Sequence, residues 1–403
     1  MSKILDNVHE EVNDFMNLPK LLRAVIPQLS LKAYKALRNG GDLALVVCHE
    51  AASTAIKSYS PELIVLPGLS PSDTDTFEWK VKSSTDNKED NYRRIPTKLS
   101  KIIDSSLSRC SAVICGPYST LKKKNNLFLI YFHKGLGRDK FMLDCCAYIL
   151  KSAKDRKIPV VVDGDGLFLL CDADYNEWAE ENRFENYELG VLTPNAMEFR
   201  RLWIRYVLKM DVNKYEQSNN KGKAQSNEVH LPPMETSDCL PHIIPISQIV
   251  TEEEKKDIKK IVEGQCYSCE HFQHISSIAD TGTLAKTLRL TILRKGVVDV
   301  VSDGKYFVVS CSPVSLRRCG GQGDVLAGTA GVWAHWAKQF VKENSSKNTL
   351  PSVGVISAYA GSFLLRHFAE AAFKRKHRST LTTDIIEAIP DVLEEIFPSN
   401  AKL

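Results

Sequence analysis

The segment RRCGGQGDVLAGTAGVWAHWAKQF, Arg317 to Phe340, gathers residue types that could hold and move charge. Gly320, Gly321 and Gly323 precede a helical pattern, and the first turn of a helix leaves N–H groups without intrahelical partners. Together with the helix dipole, such groups hold an anion such as a phosphate. Asp324 follows at once, where its carboxylate could meet a substrate hydroxyl and take its proton. The same aspartate is equally read as a helix cap. Gly328 and Gly331 weaken the helix intrinsically, which points to close packing against a sheet.

Three further segments carry weaker signals. In VVVDGDGLFLL, Val160 to Leu170, Asp163 and Asp165 stand in a glycine turn after a strand. Parallel sheets bind ligands at that rim, so the pair could orient a polar ligand or a metal-bound phosphate; it also reads simply as a turn. In LGVLTPNAMEFRRL, Asn195 and Glu198 have the spacing of a helix cap and its capping-box partner. In TILRKGVVDVVSDG, Lys295-Gly296 could bring an ammonium or a backbone N–H to nucleotide phosphates, or form a surface turn. A fourth cluster, Cys266, Cys269, His271 and His274, has zinc-ligand types but lacks the longer loop between two ligand pairs. No metal site is assigned to it.

These motifs need elements to position them. Apolar runs at Leu43–Val47, Glu62–Leu66, Ser111–Cys115, Pro159–Val162 and Leu290–Arg294 are continuous rather than alternating. Continuous runs suit strands covered on both faces. Between them lie helical patterns such as Phe141–Lys157, with apolar positions at three- and four-residue spacing. Strand–helix alternation predicts βαβ units and a doubly wound sheet. VVSDGKYFVVS predicts a hairpin turning at Asp303-Gly304. From about Ile204 to His274 the chain turns polar and irregular, too poor in apolar surface to offset its ordering entropy, and reads as a disordered insertion. A charged helix is expected inside it at Thr251–Gly264.

Composition narrows the function classes. The 403 residues can bury a full core. With 53 basic against 49 acidic residues, the net charge of +4 argues for neither nucleic acid nor an anionic membrane as partner. No apolar run reaches the roughly 18 residues that span a bilayer. Eleven cysteines, an odd number without framework spacing, fit a reducing compartment. A cytoplasmic α/β protein is expected, with the mitochondrion left open and a homo-oligomer allowed.

Taken in order, a glycine turn, DGDGLFLL, LTPNAMEFRRL, RKGVVDVVSDG and RRCGGQGDVLAG resemble the eukaryotic ATP-dependent NAD(P)H-hydrate dehydratases, a branch of the ribokinase-like fold. The likeness extends to LLRAVIPQLSLKAYK and IKSYSPELIVLPGLS near the start and RSTLTTDIIEAIPDVLEEIF near the end. It implies a single domain over 1–403, a three-layer α/β/α sandwich on a mainly parallel central sheet. It also implies a repair enzyme that uses ATP, accompanied by Mg²⁺, to dehydrate the S form of hydrated NADH or NADPH. A ring hydroxyl would be phosphorylated, and phosphate, a better leaving group than hydroxide, would then be eliminated.

Carried across residue by residue, Asp324 would be the base, and Gly321 and Gly323 would stabilise the transferring phosphoryl group. ATP would bind along Arg294, Lys295, Gly296, Val297 and Val298, and along Val314, Ser315, Leu316, Arg317, Arg318, Cys319, Gly320, Gly321, Gln322 and Gly323. The hydrated dinucleotide would meet Gly137, Asn195, Ala196, Met197, Glu198, Phe199, Arg200, Arg201 and Asp324. The GGQGD-type motif alone also allows a ribokinase-like kinase for a vitamin or sugar hydroxyl.

Two departures stand out. After Lys35 the family has a strand and a substrate loop that this chain lacks. The family's unbroken Gly-Pro-Gly-Leu-Gly-Arg-Asp is also split here by Tyr118–Lys134, an atypical insertion. Both are what an inactive splice or gene-model variant of the dehydratase would carry, and the block itself reads as foreign to the working protein.

Overall fold

The computed structural model describes residues 44–58, 63–69, 74–82, 91–116, 130–133, 140–172, 175, 180–215, 243–245, 274–310, 313, 315–344 and 350–398. The strands are β1 (Ala44–His49), β2 (Leu63–Leu69), β3 (Thr76–Lys82), β4 (Asn91–Pro96), β5 (Val113–Cys115), β6 (Ile130–His133), β7 (Val160–Val162), β8 (Gly190–Leu192), β9 (Ile243–Pro245), β10 (Thr291–Arg294), β11 (Asp299–Ser302) and β12 (Tyr306–Ser310). The helices are α1 (Glu50–Lys57), α2 (Thr97–Leu107), α3 (Lys140–Asp155), α4 (Asp165–Cys171), α5 (Ala196–Leu202), α6 (His274–Leu288), α7 (Gln322–Glu343), α8 (Val353–Lys376) and α9 (Thr382–Ile396).

One large sheet runs β2-β1-β6-β5-β7-β8-β10-β11-β12-β9, and β3 and β4 pair separately. From β2 to β10 every pairing is parallel; β11, β12 and β9 add an antiparallel edge. The continuous apolar runs become the buried central strands: Val113, Ile114, Val160, Val161 and Val162 are fully covered. Successive side chains point to opposite faces of a strand. Val160 and Val162 therefore join Leu99 of α2, Ile149 of α3, Leu167 of α4 and Leu288 of α6 in one core. Val161 joins Trp333 of α7, Ile356 of α8 and Ile385 of α9 in the other. Two cores, one on each face, make the three-layer sandwich. The hairpin forms as β11 and β12, with Gly304 at φ +88°.

β6, drawn from the block 118–134, lies between β1 and β5 and parallel to both. Leu45 to Cys48 stand opposite Ile130 to His133, and Ile114 stands opposite Tyr131. Lys35 and the rest of the block lie outside the described residues.

The polar stretch 204–274 has described parts as well. A π-turn at Trp203–Val207 continues α5, with Ile204 buried in the core, and β9 pairs with β12 at the sheet edge. The charged helix expected at Thr251–Gly264 and the ligand types Cys266, Cys269 and His271 lie outside the described residues, as does the side chain of His274.

Candidate active site

The C-terminal ends of the parallel strands converge on one rim, laced by backbone hydrogen bonds. Asp163 N donates to Cys115 O at 2.9 Å, Thr193 N to Val162 O at 3.0 Å, and Lys295 N to Pro194 O at 2.8 Å. At Gly116, φ is +105°, and a Cβ there would lie 2.0 Å from Asp163 O. Only glycine lets the end of β5 close onto the Asp163 turn.

The site is assembled on this rim. Lys295, just past β10, directs its ammonium to Asp163 Oδ1 at 2.6 Å and lies 3.9 Å from Glu198 Oε2. Burial pulls the lysine's pKa down, but the Asp163 and Glu198 carboxylates outweigh it and leave the pKa raised. Glu198 completes the capping box expected from its spacing. Asn195 Oδ1 accepts from Met197 N and Glu198 N, each at 3.0 Å, while Asn195 N donates to Glu198 Oε2 at 2.8 Å. Burial pushes the Glu198 carboxyl up against the opposing pull of Lys295.

The glycine loop sits over this ion pair. Gly321 holds φ +90° at the N-cap of α7, and Asp324 N donates to Gly321 O at 3.1 Å. A Cβ built on Gly323 would lie 3.4 Å from Asp163 Oδ2 and 3.5 Å from Lys295 Nζ. Asp324 Oδ2 is buried without a hydrogen-bond partner among the described residues. Burial pushes the Asp324 carboxyl up to about 7, with the Asp163 charge adding to the rise and Lys295 opposing it. A carboxylate so placed is a competent proton acceptor near neutral pH.

Beside it opens a cavity of about 940 Å³. Its walls include Asn195 to Met197, Arg294 to Val298, Ser315 to Arg318, Gln322 and Gly323, so three segments distant in sequence meet around one space. Phe199 is fully buried, and its ring lies beneath the Arg294 guanidinium, 4.6 Å from the cation to the ring centre. It supports a wall rather than forming one. Arg200 and Arg201 are half-buried on α5, and Cys319 and Gly320 belong to the loop outside the cavity lining. Gly137 and Val314 lie outside the described residues.

Sequence reasoning missed what holds the turn after β10. Asp299 Oδ1 accepts from Gly296 N at 2.9 Å, and Asp299 Oδ2 accepts from Ser362 Oγ at 2.7 Å. Arg366 Nη2 meets the same carboxylate at 3.1 Å and donates to Val297 O at 2.7 Å. Ser362 and Arg366 both belong to α8, which carries no local motif.

A glycine-opened helix start beside a half-buried carboxylate, on the rim of a parallel sheet, is an arrangement suited to an α/β phosphoryl-transfer enzyme. Residues 94–229 match the family described as NAD(P)H-hydrate dehydratase. The chain is 34% identical over 366 residues to an ATP-dependent (S)-NAD(P)H-hydrate dehydratase of Physcomitrium patens, covering 88% of this chain and 81% of the relative. A protein of the same name from Vitis vinifera is 31% identical over 368 residues, covering 91% and 77%. One from Rattus norvegicus is 28% identical over 409 residues, covering 95% and 87%. This chain belongs to the ATP-dependent (S)-NAD(P)H-hydrate dehydratase family.

Proposed function

We propose that this chain returns the S form of hydrated NADH and NADPH to NADH and NADPH at the expense of ATP. The observation that carries the chemistry is Asp324, a half-buried carboxyl pushed up to about 7 at the start of the helix that the glycine loop opens. Asp324 takes the proton of the ring hydroxyl, whose oxygen forms a bond to the γ-phosphorus as the bond to the bridging oxygen breaks and ADP leaves. The C–O bond of the phosphorylated ring then breaks. Phosphate departs with the oxygen that hydration had added, and a ring C–H proton is lost as the double bond re-forms. The N–H groups of Gly321 and Gly323 stabilise charge on the transferring group.

ATP lies along Arg294–Val298 and the loop ending at Gly323, and the hydrated dinucleotide lies along Asn195–Arg201. Among the described residues no three His, Cys, Asp or Glu side chains converge to hold a metal ion. Lys295 already bridges Asp163 and Glu198. Mg²⁺ therefore fits as an ion held by the nucleotide phosphates and water rather than by a protein cage. Among the described residues no helix is long and apolar enough to cross a membrane. A cytoplasmic setting is proposed on the cysteine pattern.

The test is purified protein with S-hydrated NADH and MgATP. Return of the dihydronicotinamide absorbance only with ATP is expected. Turnover of ATP with a small alcohol, and none with the hydrate, would instead assign a small-molecule kinase.

A further inference from the structure

The glycine loop can stabilise charge only if its N–H groups are held in direction before the reaction. Within the loop, Gly321 supplies the positive φ, and Gln322 Nε2 donates to Arg317 O at 3.3 Å. A Cβ built on Gly320 would meet nothing within 4 Å, so packing does not fix this residue. The anchor comes from elsewhere in the chain. Thr382 Oγ1, on the first residue of α9, donates to Gly320 O and lies 3.3 Å from Cys319 Sγ.

Two properties of this contact set it apart from ordinary packing. Thr382 is 2% exposed, and a buried hydroxyl costs free energy unless it is hydrogen-bonded. Valine has the same shape and would fill the same space, so the position uses the hydroxyl as a donor. The donor is also fixed in place. Ile385 and Ala388 of α9 are fully buried in the core that holds Leu326 and Ala330 of α7, with α8 packed against both helices. The peptide plane carries the effect onward. C=O and N–H point in opposite directions across a trans peptide. Holding the Gly320 carbonyl toward α9 therefore aims the Gly321 N–H away from it.

We propose that Thr382 is a positioning residue for phosphoryl transfer, fixing the Gly320–Gly321 peptide so that the Gly321 N–H is pre-aimed at the transferring group. The proposal rests on the dehydratase reading for its substrate, but not for its geometry.

The experiment compares Thr382→Val, Thr382→Ala and Thr382→Ser in the full chain. Losing one oxyanion donor costs about 10²–10³ in kcat, and losing its aim should cost about 10–100-fold. Val and Ala are expected to lose kcat on that scale with the ATP KM within about threefold, while Ser stays within about threefold of the parent. Without any substrate, amide hydrogen exchange across 317–323 should quicken about fivefold in Val and Ala, and not in Ser. A Val or Ala variant within about twofold of the parent in kcat overturns the proposal. So does a Ser variant as slow as Val, since the methyl group and not the hydroxyl would then matter. Ala provides the hydroxyl-free comparison should Val not fold. If the parent restores no hydrate while loop exchange still follows the hydroxyl, the dehydratase reading fails and the positioning role stands.

Discussion

Lys295 Nζ lies 2.6 Å from Asp163 Oδ1, and the pair sits beneath Gly323 of the glycine loop. The side chains are 20% and 6% exposed, and the lysine's charge also opposes the burial that raises the nearby Glu198 and Asp324 carboxyls. Breaking a buried pair by removing one partner leaves an uncompensated charge, typically at a cost of about 3–5 kcal/mol. Lys295→Met should therefore lower stability by roughly that amount in denaturant unfolding. The double variant with Asp163→Asn should lose less than the sum of the two single changes, because contacting residues are not additive. Additive losses would show that the pair is not coupled.

Asp324 predicts a trade between activity and stability. Its carboxyl is raised in the folded protein to about 7, well above the usual value. Between its unfolded pKa near 4 and about 7 the folded state binds more protons than the unfolded one, so stability contributed at low pH is lost as pH rises. Asp324→Asn should abolish turnover yet be more stable than the parent at pH 8 by roughly 1–3 kcal/mol in denaturant unfolding, with the advantage fading toward pH 4. In the parent, kcat/KM should fall as pH drops through about 7, as the base protonates. Asp163→Asn removes a charge that raises Asp324, so it should move that limb to lower pH. A limb that stays put would separate Asp163 from the base electrostatically.

The turn at Gly296 to Val298 is held by Asp299 and Arg366 rather than by its own sequence. Arg366→Met keeps most of the side chain's bulk and removes both hydrogen bonds. It should raise the ATP KM about tenfold while changing kcat less than about threefold, because a loosened turn loses binding in ground and transition states alike. Equal losses in kcat and kcat/KM would instead tie the turn to the transferring phosphoryl group.

The elements legible in the sequence were those whose signal is local. Val160–Val162 announces a doubly covered strand by its run of β-branched residues, and Asn195 with Glu198 announces a capped helix by a three-residue spacing. Lys295 was legible as a residue near phosphates, but its partner stands 132 residues away. That pairing depends on β8 separating β7 from β10, which no local pattern encodes. Arg366 is harder still, since an arginine in a long helix reads as a solvated face until α8 is laid against the turn after β10. The block Tyr118–Lys134 is harder to read for the opposite reason. The resemblance sets it apart as an insertion, whereas the structure draws Ile130–His133 from its apolar half into a strand beside β1.

The block therefore yields the sharpest structural prediction. β1 pairs with β2 on one side and with β6 on the other, and β6 in turn pairs with β5. Without β6 the unit β1–α1–β2 has no described strand joining it to the rest of the sheet. Two strand edges would then be left with unpaired N–H and C=O groups beside buried Val47 and Cys115. Deleting residues 118–134 restores an unbroken Gly-Pro-Gly-Leu-Gly-Arg-Asp, so a reading of the block as foreign expects the deletion to fold as well or better. The pairing expects the reverse: mostly insoluble protein, or a soluble form with lost cooperativity in thermal unfolding. A milder variant separates the two readings even if the deletion fails for length alone. Tyr131→Pro removes the N–H that strand pairing needs, which a strand paired on both sides does not tolerate, whereas in an unstructured insertion it costs almost nothing. A melting temperature unchanged by Tyr131→Pro would remove β6 from the sheet and return the block to the status of an insertion.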